Sequence, residues 1–215
     1  MMNEKMEIMN GGKALMKALE KEGVKQVFGL PGGANLPMYD ELYKSNIRHI
    51  LVRHEQSAAH MADGFGRVSR KPGVCFATSG PGATNLLTGI ATAQADSAPM
   101  VAVTGQVPVN MIGRDAFQES DIIGMSNPSV KYAFQPRTPQ EIPETVKKGF
   151  YIAETGRPGP VLLDIPKDVQ QNEAEINFPE EVRMPGYHPW TDIDIVSIER
   201  AVDLLLSSEK PIILA

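Results

Sequence analysis

Five short apolar runs, separated by segments long enough to form helices, constrain the fold more than any other feature of the sequence. The runs are rich in Val, Ile and Leu, which is typical of strands covered on both faces. They occupy residues 24–28, 49–52, 74–78, 100–104 and 161–165. Helical length or periodicity marks residues 12–22, 57–68, 83–95 and 139–154. This alternation predicts an α/β fold, a doubly wound parallel sheet with helices on both faces.

Composition narrows the class of protein. The chain has 215 residues and a formal net charge of -5, and no long basic run is present, which argues against nucleic acid and against an anionic membrane surface. No stretch approaches the roughly 20 apolar residues needed to span a bilayer, and the first ten residues lack the apolar centre of a signal peptide. The single cysteine, Cys75, lies in an apolar run and is predicted to be buried and inert. A cytoplasmic function on small molecules fits these features.

The pattern changes after the last apolar run. We assign residues 1–169 to one domain and residues 170–194, which are polar and contain prolines without a clear period, to a linker. Residues 195–206 carry a helical apolar stripe, and residues 211–215 read as the start of a strand. A lone helix and strand have too little core to form a domain, so we expect residues 195–215 to begin a truncated second domain. A docked C-terminal edge strand is the alternative.

Four turns at the ends of apolar runs, one of which contains a carboxylate, mark a candidate site. Glu55 follows the second apolar run, and glycine turns or polar residues follow the first, third and fourth runs at residues 29–33, 79–82 and 105–106. The carboxyl ends of parallel strands open on one edge of a sheet, where such folds bind ligands, so these turns should converge in one crevice. Pro81 removes a backbone donor, which favours close approach of a flat ring over a phosphate site. A carboxylate at a helix N-terminus is the alternative role of Glu55.

Six motifs occur in order along the chain: VFGLPGG (27–33), RHEQSAAHMADG (53–64), ATSGPGATN (77–85), TGQVP (104–108), IGRDAFQE (112–119) and RPGPV (157–161). In these motifs the chain closely resembles the N-terminal pyrimidine-binding domain of the catalytic subunits of acetolactate synthase, also called acetohydroxyacid synthase, which are thiamine diphosphate enzymes. The resemblance covers about residues 11–169. The implied activity is the decarboxylative condensation of pyruvate with a second 2-keto acid, in branched-chain amino acid biosynthesis.

The resemblance implies roles for individual residues. Glu55 would hydrogen-bond the N1′ nitrogen of the cofactor's aminopyrimidine and be the catalytic residue. The other implied cofactor-binding residues are Leu30, Pro31, Gly32, Gly33, Thr78, Pro81, Gly82, Asn85, Gln118 and Arg157, the last of which matches a residue placed against a flavin. The residues implied to line the substrate approach are Pro108, Phe117, Gln118 and Lys131.

Cofactors and partners follow from the same resemblance. It implies thiamine diphosphate, Mg²⁺ and a structural FAD, with pyruvate and 2-ketobutyrate as substrates. It also implies a homodimer or homotetramer, with a regulatory small subunit as a further partner. The implied Mg²⁺ ligands belong to a Gly-Asp-Gly motif of a C-terminal domain, and that motif does not occur in these 215 residues. We therefore expect no metal ligands in this chain, most flavin contacts in a middle domain, and no activity of the chain alone.

Two departures and two alternatives qualify the resemblance. Leu30 replaces a frequent tyrosine, and Val109 with Asn110 replaces a frequent basic pair. One alternative is the small subunit of a split thiamine diphosphate 2-keto acid decarboxylase, against which the IGRDAFQE motif and residues 195–215 argue. The other is a non-catalytic interaction module, since fold alone does not assign function.

Overall fold

A computed structural model of the protein describes residues 7–189 and 193–214. The strands are β1 (Glu7–Asn10), β2 (Gln26–Gly29), β3 (Arg48–Leu51), β4 (Gly73–Ala77), β5 (Met100–Gln106), β6 (Tyr132–Phe134), β7 (Pro160–Pro166) and β8 (Glu173–Ile176). The helices are α1 (Gly11–Lys21), α2 (Leu36–Lys44), α3 (Glu55–Ser69), α4 (Pro81–Asn85), α5 (Leu87–Ala95), α6 (Ile122–Ser126), α7 (Ile142–Glu154), α8 (Lys167–Gln171) and α9 (Ile195–Ser207). Short 3-10 turns lie at Val109–Met111, Asn127–Ser129 and Pro139–Glu141.

Six of these strands form one parallel sheet in the order β3-β2-β4-β5-β7-β6. Alternate residues of each strand point to opposite faces. In β4, Val74 and Phe76 join a core packed against α1, α2 and α7, whereas Cys75 and Ala77 join a second core under α3 and α5. The sheet is therefore covered on both faces, and the predicted doubly wound α/β fold is confirmed.

The predicted strands agree with β2, β3, β4, β5 and β7 to within two residues at each end. The predicted helix over residues 83–95 is divided into α4 and α5 by one residue, Leu86, and the one over residues 139–154 begins as a 3-10 turn before α7. Cys75 is fully buried as predicted, and burial raises the pKa of its thiol to about 12. Continuous apolar runs thus predicted the central strands well, because these strands are buried on both faces.

Two predictions for the C-terminal part need correction. Residues 170–194 are not a linker throughout, because α8 extends to Gln171 and β8 pairs antiparallel with β1, opposing Glu173 to Asn10. A strand was predicted over residues 211–215, but residues 211–214 form none and their side chains are exposed. Ala215 lies outside the described residues. Helix α9 forms as predicted, but none of its residues is buried.

Helix α3 packs closely on the loop before β5, and two of its glycines allow a matched test. A Cβ on Gly66 would lie 2.3 Å from the carbonyl oxygen of Pro99, whereas a Cβ on Gly64 would meet nothing within 4 Å. Gly66→Ala should destabilise the protein by about 1–3 kcal/mol, because the backbone at Pro99 or in α3 must move to make room for the Cβ. Gly64→Ala should stabilise it by about 1 kcal/mol, because alanine is the better helix former. Urea unfolding followed by circular dichroism measures both changes.

Equal effects of the two substitutions would contradict this packing of α3. The change of residue type is the same and both positions lie within one helix, so helix propensity alone cannot produce opposite signs.

Candidate active site

Glu55 is the first residue of α3 and lies just beyond the carboxyl end of β3. The residue is 8% exposed, so its carboxylate is largely withdrawn from water. Its Oε2 accepts a hydrogen bond of 3.0 Å from Nδ2 of Asn85. A Cβ on Gly82 would lie 3.2 Å from Oε1. The helix N-terminus also favours a negative charge. The carboxylate thus lies both at the sheet edge and at a helix start.

Two glycine turns meet at Thr78. A Cβ on Gly32 would lie 2.7 Å from Cβ and Cγ2 of Thr78, and a Cβ on Gly82 would lie 2.7 Å from the same Cγ2. Thr78 Oγ1 accepts a hydrogen bond of 3.1 Å from the backbone N–H of Ala34. The turn after β2 and the turn after β4 are therefore joined through one side chain, which only glycine at both contact points permits.

Asn35 fixes the turn that contains Leu30, Pro31, Gly32 and Gly33. Its Oδ1 accepts a hydrogen bond of 2.7 Å from the N–H of Gly32, and its Nδ2 donates one of 3.3 Å to the carbonyl of Leu30. The side chain is fully buried. This residue was missed in the sequence analysis. An asparagine shortly after a glycine-rich turn is nevertheless a recognisable signal, because its side chain can hydrogen-bond nearby backbone groups.

The segment of residues 107–120, which we call the Phe117 loop, extends from the carboxyl end of β5. Pro108 is half-buried at its start, and Phe117 is 88% exposed. Gln118 has a φ of +57°, and a Cβ on Gly80 would lie 2.6 Å from the carbonyl oxygen of Gln118. The structure therefore brings the loop backbone against the same turn that leads to Gly82 and Glu55.

The structure does not bring Lys131 and Arg157 to this edge. Lys131 precedes β6, and its ammonium group donates to the carbonyls of Ile152 and Thr155 and to the Tyr187 hydroxyl. Arg157 precedes β7 and donates to Ser97 Oγ at 2.7 Å and to two nearby carbonyls. Residues before parallel strands lie at the amino edge, about 20 Å from the carboxyl edge for a strand as long as β7. Within this chain, both side chains hold loops together away from Glu55.

A second buried carboxylate, Asp164 of β7, lies inside the sheet near the carboxyl edge. It is fully buried and accepts hydrogen bonds from Thr104 Oγ1 at 2.6 Å, Gln135 Nε2 at 2.7 Å and Gln106 Nε2 at 3.1 Å. Burial raises its pKa to about 6, while these donors and the charge of Arg137 lower it. Sequence reasoning missed this network because an aspartate in an apolar run gives no indication of its partners.

Tyr39 of α2 packs over the carboxyl end of β2. Its hydroxyl would lie 2.4 Å from a Cβ on Gly29 and is 3.5 Å from Nε2 of His49. Burial raises the pKa of Tyr39, with smaller contributions from Cys75 and Glu55. The phenol is therefore neutral at physiological pH, and it lies over the neighbouring strands β2, at Gly29, and β3, at His49.

Within residues 7–189 and 193–214, no group of three or more His, Cys, Asp or Glu side chains is arranged to hold a metal ion. In the same residues, no helix combines the length and the apolar character required to cross a bilayer.

Comparison with known proteins agrees with this geometry. Residues 9–125, more than half of the chain, match the family described as "Thiamine pyrophosphate enzyme, N-terminal TPP binding domain"; thiamine pyrophosphate is another name for thiamine diphosphate. The chain therefore belongs to this family, and the matched region contains Glu55, both glycine turns and the Phe117 loop.

Several curated relatives are similar over nearly the whole chain. A "Probable acetolactate synthase large subunit" of Methanocaldococcus jannaschii is 58% identical over 210 residues, covering 96% of this chain and 36% of the relative. The "Acetolactate synthase large subunit" of Corynebacterium glutamicum is 51% identical, covering 96% and 33%. The "Acetolactate synthase isozyme 3 large subunit" of Escherichia coli is 48% identical, covering 97% and 37%. The chain thus spans about a third of the length of these relatives.

The raised pKa of Asp164 predicts a pH dependence of stability. In the unfolded chain the group should titrate near its ordinary value of 3.8, and in the folded protein near 6. The folded state therefore binds the proton more tightly. This contribution to stability is complete below about pH 4 and is lost as the pH rises through 6. At about 1.4 kcal/mol per pKa unit, the loss is on the order of 3 kcal/mol.

Asp164→Asn removes the titrating group with little change of shape. The free energy of unfolding of the original protein, minus that of the variant, should therefore fall between pH 4 and pH 7. Urea titrations at a series of pH values measure this difference. A difference that stays constant over this range, or that rises with pH, would contradict the assignment.

Proposed function

We propose that this chain is the pyrimidine-binding part of an acetolactate synthase large subunit. The observation that carries the proposal is the Glu55 carboxylate, buried with one oxygen held by Asn85 and the other beside Gly82. The proposed reaction joins pyruvate to a second 2-keto acid, pyruvate or 2-ketobutyrate, after decarboxylation. The high identity to large subunits over nearly the whole chain supports this choice among thiamine diphosphate enzymes.

The residues present fit an aminopyrimidine. A flat ring with a nitrogen acceptor could approach Glu55 Oε1 because Gly82 has no side chain there, and the turn fixed by Asn35 would form the other wall. When bound, thiamine diphosphate supplies the electron sink for decarboxylation. Glu55 would hold a proton at the ring nitrogen, Asn85 would keep the carboxylate oriented, and burial would exclude water from that hydrogen bond.

The Phe117 loop is proposed as the substrate side of the crevice. Gln118 approaches the Gly80 turn through its backbone, and Pro108 starts the loop at the end of β5. The exposed ring of Phe117 offers an apolar contact for a small keto acid or for a further part of the enzyme. Lys131 is not available from this chain, because its ammonium group is bound to carbonyls at the amino edge.

The remaining cofactors and partners are proposed from the family alone. Mg²⁺ would be held with the cofactor diphosphate by a separate domain. Arg157, whose guanidinium donates to Ser97 and to neighbouring carbonyls, is proposed to lie against a structural FAD that a middle domain would hold for the most part. Assembly as a homodimer or homotetramer, a regulatory small subunit and a cytoplasmic location are further parts of the proposal.

A chimera tests the function. When this chain replaces the matching third of the Corynebacterium glutamicum large subunit, we expect acetolactate to form from pyruvate with thiamine diphosphate and Mg²⁺. Glu55→Gln in the chimera should lower kcat by about 100-fold or more, because a positioned proton-transfer group contributes at least that much. The measurement is a colorimetric assay of acetolactate, with cofactor binding followed separately by calorimetry.

Asp63→Asn is the matched control. Asp63 lies on the same helix, is 6% exposed and pairs with Arg67 rather than with the crevice. This variant should keep nearly full activity. If the two variants lose activity to the same degree, or if Glu55→Gln retains it, the assignment of Glu55 fails.

The 215-residue chain by itself should be inactive. It lacks a Gly-Asp-Gly motif, so we expect it to provide no site for the metal-bound diphosphate. Incubation of the purified chain with pyruvate, Mg²⁺ and thiamine diphosphate should yield no acetolactate above a blank. Sustained turnover would show that the diphosphate is held by residues of this chain, contrary to the proposal.

A further inference from the structure

The side-chain amide of Gln106 closes both ends of the Phe117 loop. Gln106 is the last residue of β5 and is 2% exposed. Its Oε1 accepts a hydrogen bond of 2.9 Å from the N–H of Val107, and its Nε2 donates one of 3.0 Å to the carbonyl of Ser120. Val107 and Ser120 are the first and last residues of the loop. One planar amide therefore fixes the distance between the points where the loop leaves and rejoins the core.

Asp164 fixes the orientation of this amide. Nε2 of Gln106 donates a second hydrogen bond, of 3.1 Å, to Asp164 Oδ2. An ionised carboxylate only accepts hydrogen bonds, so a flipped amide would place its oxygen against the carboxylate and lose three contacts. Thr104 and Gln135 hold the carboxylate in turn. A buried charge without hydrogen-bond partners costs free energy. The network therefore has one favourable arrangement, in which every donor faces the Asp164 carboxylate or a carbonyl.

The loop that Gln106 closes has a strained tip. Asp115 and Gln118 have φ values of +53° and +57°, in the left-handed region that non-glycine residues rarely adopt. Such conformations persist when the surrounding structure holds them. Inside the loop, the carboxylate of Glu119 accepts hydrogen bonds from the N–H groups of Gly113 and Ala116. Glu119 thus shapes the tip, while Gln106 attaches its two ends to the sheet.

A backbone contact carries the position of the loop to Glu55. The carbonyl oxygen of Gln118 lies so close to Gly80 that a Cβ there would be 2.6 Å away. Gly80 begins the turn that leads to Gly82, and a Cβ on Gly82 would lie 3.2 Å from Glu55 Oε1. Movement of the loop ends would therefore change the spacing between Gln118 and the carboxylate.

We propose that Gln106 is a positioning residue, whose amide, oriented by Asp164, holds the Phe117 loop at a fixed distance from Glu55. The loop geometry stands on the contacts of this chain alone; its importance for substrate rests on the proposed function. Gln106 itself touches neither the Glu55 carboxylate nor the glycine turns in the observed hydrogen bonds, so it would act through the loop.

Amide hydrogen exchange of the full 215-residue chain, read by mass spectrometry, tests the proposal. Gln106→Met keeps an unbranched side chain of similar length but removes the acceptor and both donors. Exchange across residues 108–120 should accelerate about tenfold or more, as expected for loss of a hydrogen bond to a charged group and of the loop closure. Gln94→Met makes the same change of residue type on α5, outside the hydrogen bonds of Gln106 and Asp164, and should leave exchange in the loop unchanged.

A second variant covers the case in which Gln106→Met does not fold. Gln106→Asn keeps a neutral amide beside Asp164 but is one methylene shorter, so it cannot reach both Val107 and Ser120 at the observed hydrogen-bond distances. It should likewise accelerate exchange in the loop more than in β4 or α3. Unchanged loop exchange in either folded variant, or equal acceleration throughout the chain, overturns the positioning role.

The chimera distinguishes this inference from the proposed function. There, Gln106→Met should raise the KM for pyruvate with a smaller effect on kcat, whereas Gln94→Met should keep both near those of the unmodified chimera. An inactive unmodified chimera with loop-specific exchange in Gln106→Met would refute the proposed function and leave the positioning role intact. Equal KM values in all three proteins would refute the role of the loop in substrate binding.

Discussion

The close approach of two glycine turns to Thr78 is the constraint on which the rest of the crevice depends. Parallel pairing sets it up, because Gly29 of β2 lies in register with Phe76 of β4, so that both strands end at the same level. A side chain at Gly32 or Gly82 would then overlap Thr78 and push the turns apart. The burial of Glu55 thus depends on backbone packing at glycines, and any separation of the turns would admit water to the carboxylate.

Two buried carboxylates near the same sheet edge have different surroundings, and these set different roles. Asp164 is fully buried and receives three side-chain donors, which leave little capacity for a ligand. Glu55 is held by one amide and lies beside a glycine, with an oxygen still able to accept or share a proton. Acid–base assignments in proteins follow such differences of environment. These surroundings suit Asp164 to structure, and Glu55 to the role that the proposed function gives it.

The sequence predicted the central strands and the convergence of their turns because both depend on local patterns and on one property of parallel sheets. It could not predict partners that are distant in the chain. Strand β8 pairs with β1, nearly the whole domain away in sequence, and a short polar run gives no sign of this. Arg157 precedes the predicted strand of residues 161–165, which already placed it at the amino edge, but the strand after Lys131 was not predicted. The contacts of both side chains were hidden, since a motif does not show what a side chain contacts.

A rigid base under an exposed tip gives the Phe117 loop a physical advantage in binding. Ordering a flexible loop costs free energy when a ligand or partner binds, and a loop already held in shape avoids much of that cost. Gln106 closes the base, and Glu119 shapes the tip, yet the Phe117 ring remains 88% exposed. An aromatic ring presented in this way gains its apolar contact without a large entropic loss. By holding the base of the loop, the network around Asp164 thereby favours contacts made at the open side of the crevice.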